Sequence, residues 1–197
     1  MSASIAFVFP GQGSQSLGML AEHGANYPLV MHSFAEASEA LGYDLWALIQ
    51  QGPEALLNQT DKTQPAILAA SIALWSLWQV EGGAMPAYLA GHSLGEYSAL
   101  VAAGSLSFAD ALRLVELRGQ LMQQAVPPGQ GGMAAILGLE DADVVAACAE
   151  AAQGDVVSAV NFNAPGQVVV AGSAAAVERA IEACKARGAK RAMSLPV

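Results

Sequence analysis

Hydrophobic and polar positions alternate in two different rhythms along the chain. Ser4-Ile5-Ala6-Phe7-Val8-Phe9 is an apolar run stopped by Pro10-Gly11, which predicts a short strand buried on both faces. Between Pro28 and Leu41, Val30, Phe34, Ala37 and Leu41 recur at helical spacing and Gly42 supplies the stop, so an amphipathic helix is expected. Pro65 suits the first turn of a longer helix reaching about Val80. Its Ile67, Leu68, Ile72, Trp75 and Trp78 leave no polar face, so it should be buried. Ala87-Tyr88-Leu89-Ala90 reads as a second buried strand that turns into a helix over residues 96–103. Ser107, with Asp110 three positions on, forms a capping box for a helix to about Gln124, closed by Pro127-Pro128-Gly129.

Beyond Gly131 the elements become short and regular: strand 133–137, helix 141–152, strands 156–162 and 167–171, helix 174–186, and an extended piece from Arg191 to Val197. The order βαββαβ is the ferredoxin-like split pattern, which predicts an α/β protein with a large unit over residues 1–128 and a small one over 129–197. Composition agrees, since 54% hydrophobic and 13% charged residues in 197 exclude disorder and provide a core. A net charge of −9 argues against a nucleic-acid partner. No apolar stretch reaches the ~20 residues of a membrane span, and no Lys or Arg precedes the first apolar run as a secretory signal requires, so a cytoplasmic address is expected. Cys148 and Cys184 each fall in an Ala-rich helical pattern without metal-type spacing and read as small core residues. Residues 1–155 hold 15 acids and 3 bases, whereas 156–197 hold 2 acids and 5 bases. Arg179, Lys185, Arg187, Lys190 and Arg191 therefore form either a patch for an acidic partner or a solvated helix face with cations near its C-terminus.

Gly91-His92-Ser93-Leu94-Gly95 is a G-x-S-x-G sequence set between a strand and a helix, the context that gives the motif meaning. The glycines let the chain turn sharply, so that the Ser93 hydroxyl projects at the sheet edge and the Leu94 N–H faces a developing oxyanion at a helix N-terminus. A serine nucleophile needs a base. His92 is a poor one for its neighbour, because adjacent side chains on an extended strand point to opposite faces, and His23 and His32 carry no spacing signal. Gly11-Gln12-Gly13 follows a strand but is no dinucleotide loop, since position 16 is Ser16. It can still bring backbone N–H groups to an anion, with Gln12 as a second donor to the oxyanion. Arg118 has Leu114, Val115, Leu121 and Met122 as its helical neighbours, so the spacing predicts a guanidinium on a core-facing stripe. Such a charge demands an anion, either a ligand carboxylate or one of the chain's own, such as Glu96 or Glu116.

Taken together, Phe9-Pro10-Gly11-Gln12-Gly13-Ser14-Gln15, Gly91-His92-Ser93-Leu94-Gly95-Glu96-Tyr97, Arg113-Leu114-Val115-Glu116-Leu117-Arg118-Gly119 and Val160-Asn161-Phe162-Asn163-Ala164-Pro165-Gly166-Gln167 resemble the malonyl-CoA:acyl-carrier-protein transacylases of bacterial type II fatty-acid synthesis. The resemblance implies an α/β-hydrolase-like large subdomain with a ferredoxin-like small one between its parts. It also implies a ping-pong transfer of malonyl from malonyl-CoA through Ser93 to the phosphopantetheine thiol of acyl carrier protein. By the same resemblance Gln12 and Leu94 supply backbone oxyanion donors, Arg118 grips the malonyl carboxylate, and His92, Asn161 and Asn163 contribute to the substrate cleft. Lys185, Arg187, Lys190 and Arg191 are the candidate carrier-protein contacts. No cofactor or metal is implied.

In that family the histidine paired with the serine follows the last small-subdomain strand, in a Pro-Ser-His-like segment. The present sequence stops at Leu195-Pro196-Val197, and a chain ending there is expected to show little or no transacylase activity. Two alternatives share Ser93: a serine esterase or lipase-like hydrolase, and a non-catalytic fold that binds acyl-CoA or carrier protein.

Overall fold

The computed structural model describes residues 4–127 and 129–195, so Pro128, the terminal Pro196-Val197 of the last extended piece and Met1–Ala3 lie outside the described residues. The chain divides into two compact units, Met1–Ala125 and Val126–Val197, whereas the sequence reading drew the boundary at 128/129. Elements of both kinds alternate, so the α/β class expected from the sequence holds.

The first unit pairs two parallel strands, β1 (Ala6–Phe9) and β2 (Tyr88–Gly91), in the register Phe7↔Leu89 and Phe9↔Gly91. Short helices α1 (Ala21–Asn26), α3 (Leu45–Gln51) and α4 (Glu54–Leu57) surround the longer α2 (Pro28–Leu41), α5 (Thr60–Val80) and α7 (Phe108–Ala125), and α6 (Gly95–Ala102) follows β2 directly. Helix α2 ends where the sequence placed its stop, with Gly42 left-handed at φ 78° and its N–H donating to Ser38 O. At the start of α7, Ser107 Oγ accepts from the Asp110 N–H at 3.2 Å and donates to the Asp110 carboxylate at 2.6 Å. The core is built from Val30, Phe34, Leu45, Ile49, Leu57, Leu68, Leu94, Leu112 and Val115, all fully buried.

Three expectations for this unit are corrected. Helix α5 begins at Thr60, five residues before Pro65. The proline is the sixth helical residue, so only the Asp61 carbonyl forgoes an intrahelical bond and the helix tolerates it. The end of α5 emerges from the core: Ile67, Leu68, Ile72 and Trp75 are buried, but Leu74, Trp78 and Val80 are exposed. The two strands are not buried on both faces. Phe9 is buried and Phe7 packs edge-on against Trp75 and Trp78 at 5.3 and 5.2 Å, while Val8 is 75% and Tyr88 69% exposed. Strand geometry sends alternate residues to opposite faces, and among the described residues only one face is covered. Phe7, Val8, Leu74 and Trp78 line an apolar cleft of about 610 Å³ there.

The second unit is a four-stranded antiparallel sheet in the order β4-β5-β3-β6, made of β3 (Gly131–Leu137), β4 (Val157–Ala164), β5 (Gln167–Ser173) and β6 (Arg191–Leu195). With α8 (Asp141–Ala152) and α9 (Ala174–Ala186) this is the split βαββαβ arrangement. The helices bury Val144, Ala147, Cys148, Val177, Ala180 and Cys184 against Ala134, Ile136, Val168 and Val170 of the sheet. Both cysteines are free and buried, as their Ala-rich helical setting implied. No helix among the described residues is long and apolar enough to cross a membrane.

Candidate active site

The site begins with the join between β2 and α6. His92 N–H donates to Phe9 O at 3.3 Å and Gly95 N–H donates to His92 O at 2.9 Å, folding the strand end into a tight turn. A Cβ on Gly91 would strike the backbone of Gly95, and one on Gly95 would strike Phe9 O, so both glycines are required by backbone crowding. Ser93 sits at the apex with φ 53°, a left-handed conformation rare for a residue with a side chain and associated with functional strain. Leu94 follows at the start of α6, fully buried, and its N–H is among the first amides of the helix, which have no acceptor within it. The strand alternation used to set His92 aside stops before Ser93, because the backbone is no longer extended there. The His92 ring instead lies beside the loop after β1, its Nδ1 only 3.3 Å from where a Gly11 Cβ would be.

That loop is fastened to the start of α5. Gln12 Nε2 donates to Thr60 Oγ1 at 3.2 Å, Gln15 Nε2 donates to Asn58 Oδ1 at 2.9 Å, and Gly13 N–H donates to Gln15 Oε1 at 2.9 Å. The Gln12 side chain is thus committed to Thr60, which leaves the backbone as the part of Gln12 suited to an anion.

Arg118 comes from α7. Its Nη2 donates to Ser93 Oγ at 3.0 Å and its Nη1 donates to Gln64 Oε1 at 2.7 Å. The guanidinium carbon is 5.7 Å from the Tyr97 ring centroid. Neither Glu96 nor Glu116 pairs with it: Glu116 takes Lys62 at 2.8 Å, and Lys62 also reaches Asp61 at 3.3 Å. The expected apolar stripe is not the buried face of α7. That face is Ala111, Leu112, Val115 and Gly119, while Leu114, Leu121 and Met122 are exposed. Helical spacing identifies neighbours on a helix but not which of them another element covers, and Arg118 is half-buried at the border.

The residue missed by sequence reading is Gln64, which is fully buried. With the helix taken to start at Pro65, Gln64 fell outside any element. The available signal was an amide opening a long apolar run, Gln64-Pro65-Ala66-Ile67-Leu68. Beneath it, Lys62 lies 4.3 Å from the Tyr43 ring centroid, and burial, reinforced by the Glu116 and Asp61 carboxylates, holds the Tyr43 phenol well above its ordinary pKa. Burial pulls the Lys62 ammonium down, but its hydrogen bond to Glu116 and the two carboxylate charges outweigh this and leave it raised.

The remaining histidines, asparagines and basic residues fall on the following elements. His23 lies in α1 with its ring 6.3 Å from Tyr27, and His32 is exposed on α2. Asn161 and Asn163 belong to β4 of the second unit, which carries register irregularities between Ala159 and Asn161 and between Phe162 and Ala164. Much of the basic cluster is already matched within the chain: Arg179 with Asp155 at 2.8 Å, Lys185 with Glu182 at 2.8 Å and Arg187 with Glu150 at 2.7 Å. The helix-face reading therefore describes these three, whereas Lys190 and Arg191 are exposed with no ion pair among the described residues. No group of three or more His, Cys, Asp or Glu suited to a metal occurs among the described residues.

A strand, a sharp turn holding a serine at positive φ and a helix N-terminus form a nucleophile elbow, the arrangement of serine-dependent acyl-transferring and hydrolysing α/β enzymes. The chain belongs to the acyl transferase domain family, whose model matches residues 6–196. It is 70% identical over 98% of its length to a malonyl CoA-acyl carrier protein transacylase of Salmonella typhimurium and 48% identical over 99% to one of Bacillus subtilis. It spans 62% of the length of these curated relatives. Among solved structures, an acyl carrier protein S-malonyltransferase from Vibrio cholerae superposes with a TM-score of 0.95 at 65% identity, covering 99% of this chain and 64% of that one. A malonyl-transacylase in complex with its type II polyketide acyl-carrier protein superposes at 0.96 with 62% identity, covering 99% of this chain and 63% of that one.

Proposed function

We propose that the protein moves a malonyl group from malonyl-CoA to the phosphopantetheine thiol of an acyl carrier protein in fatty-acid synthesis. The observation that carries this reading is the guanidinium of Arg118, which lies 3.0 Å from the Ser93 hydroxyl and faces a neutral amide where a carboxylate partner would stand. Ser93 Oγ attacks the thioester carbonyl, its proton leaves to a base, and the oxyanion is received by the N–H groups of Leu94 and Gln12. Coenzyme A departs as the thiol and a malonyl ester remains on Ser93. The carrier thiol then attacks this ester, restoring the hydroxyl. The Arg118 guanidinium offers only donors and no acceptor, so it does not serve as the base, a role the family resemblance gives to a histidine. It takes the substrate's free carboxylate through two parallel hydrogen bonds instead. An acetyl group leaves those donors unpaired, and such a loss discriminates strongly.

His92 supports the elbow from the Gly11 side in this reading. Lys190 and Arg191, with Lys185 and Arg187, meet the acidic carrier protein; exposed ion pairs are weak enough to be exchanged on docking. One structural relative, a malonyl-transacylase, is solved in complex with its type II polyketide acyl-carrier protein, which supports a carrier protein as the partner. No cofactor or metal takes part, and the buried free thiols suit the cytoplasm.

Incubation of the protein, at the full length of its curated relatives, with malonyl-CoA followed by peptide mass spectrometry tests the proposal. A malonyl adduct on the peptide containing Ser93, absent in Ser93→Ala, is expected. In Arg118→Ala, loading by malonyl-CoA should fall to the level of acetyl-CoA. Equal loading by the two thioesters in the unmodified chain refutes the malonyl assignment and favours an esterase-like site.

A further inference from the structure

We propose that Gln64 is a positioning residue for acyl-group selectivity, which it exerts by orienting Arg118 without neutralising it. The proposal rests on the malonyl-transfer reading and adds the residue that makes the arginine available to a substrate carboxylate.

Four observations support it. Gln64 is fully buried in an apolar helix, where an amide persists only if its hydrogen-bonding groups are engaged. Its Oε1 accepts from Arg118 Nη1 at 2.7 Å, while its Nε2 faces Met122 Sδ at 3.4 Å. The reversed amide would set two N–H donors against each other at the guanidinium, so the carbonyl orientation is the one that satisfies both groups. The nearby carboxylates are occupied, Glu116 by Lys62 at 2.8 Å and Asp61 by the same ammonium at 3.3 Å.

The consequence is electrostatic. A carboxylate at position 64 would hold the guanidinium equally well but would also complete its charge, and a substrate carboxylate would then meet a neutral pair. A neutral acceptor fixes one edge of the planar fork and leaves the full positive charge, with Nη2, turned toward Ser93. Gln64 touches no reacting atom, so its effect on the substrate passes through Arg118.

Binding to the full chain carrying Ser93→Ala, which blocks acylation, separates position from charge. Calorimetry gives the dissociation constants of malonyl-CoA and acetyl-CoA, and their ratio isolates the carboxylate. Adding Gln64→Glu, nearly identical in shape, should lower the malonyl preference by about tenfold or more while acetyl-CoA affinity is kept. Gln64→Met removes the acceptor without adding charge and should retain more of the preference than Gln64→Glu. If the Gln64→Glu ratio is unchanged, or both ligands weaken equally, the side chain is only structural and the proposal is overturned. If the parent chain prefers neither thioester, it is the malonyl-transfer reading that fails.

Discussion

Gly119→Ala tests a close helix-to-helix approach in the first unit. Gly119 of α7 lies against the backbone of α5, where a Cβ would stand 2.5 Å from Asp61 Cα, 2.7 Å from Asp61 N and 2.8 Å from the Thr60 carbonyl carbon. Ordinary contact begins at 3.4 Å, and backbone atoms, unlike the end of a flexible side chain, cannot swing away. The two helices must therefore part by about 0.9 Å, a gap that already forfeits a quarter to a half of each dispersion contact along the seam. Overpacking of this kind costs about 1–3 kcal/mol, and replacing a helical glycine by alanine returns about 1 kcal/mol. A net destabilisation of up to about 2 kcal/mol is expected. The same opening stretches the neighbouring Arg118–Gln64 bond from 2.7 Å beyond hydrogen-bonding range, so malonyl loading of Ser93 should fall with stability. Trp46, Trp75 and Trp78 are the chain's 3 tryptophans and all belong to this unit, so a urea titration followed by tryptophan fluorescence reports on it alone. A stabilisation of about 1 kcal/mol, the result for an uncrowded helix position, would refute the argument.

Two further outcomes can be measured directly. Tyr43 and Lys62 both have folded pKa values above their ordinary 10.0 and 10.5, so the stability they contribute is fully present below about pH 10 and declines as alkali ionises the unfolded chain first. Urea titrations through that range should show the decline, and Tyr43→Phe, which removes a buried hydroxyl without a partner among the described residues, should make it shallower; an unchanged slope counts against the cluster. Burial, reinforced by the neighbouring Cys148, pushes the Cys184 thiol up to about 11, with Arg187 opposing weakly, and burial raises Cys148 too. Iodoacetamide at neutral pH should leave both thiols unmodified in the folded protein and alkylate both in denaturant, as read by intact mass; rapid alkylation of the native protein would contradict their burial.

The sequence by itself determined the elements whose signals are local. Helix α2 stops at Gly42 because only glycine takes the left-handed position without cost, and α8 and α9 match the expected limits because their apolar faces repeat at helical spacing. The elbow around Ser93 was equally legible, since the two glycines and the serine lie within five consecutive residues. Tertiary structure alone decided what depends on a neighbour distant in sequence. It showed that Val8 and Tyr88 are uncovered, because alternation names two faces without saying which will be packed. It also set the surroundings of Arg118: Gln64 is 54 residues away along the chain and Ser93 is 25, and only the close crossing of α5 and α7 at Gly119 and Asp61 brings the amide to the guanidinium. Residue identity announced a charge in need of an anion, but whether a carboxylate of the chain or a neutral amide would meet it was settled by packing.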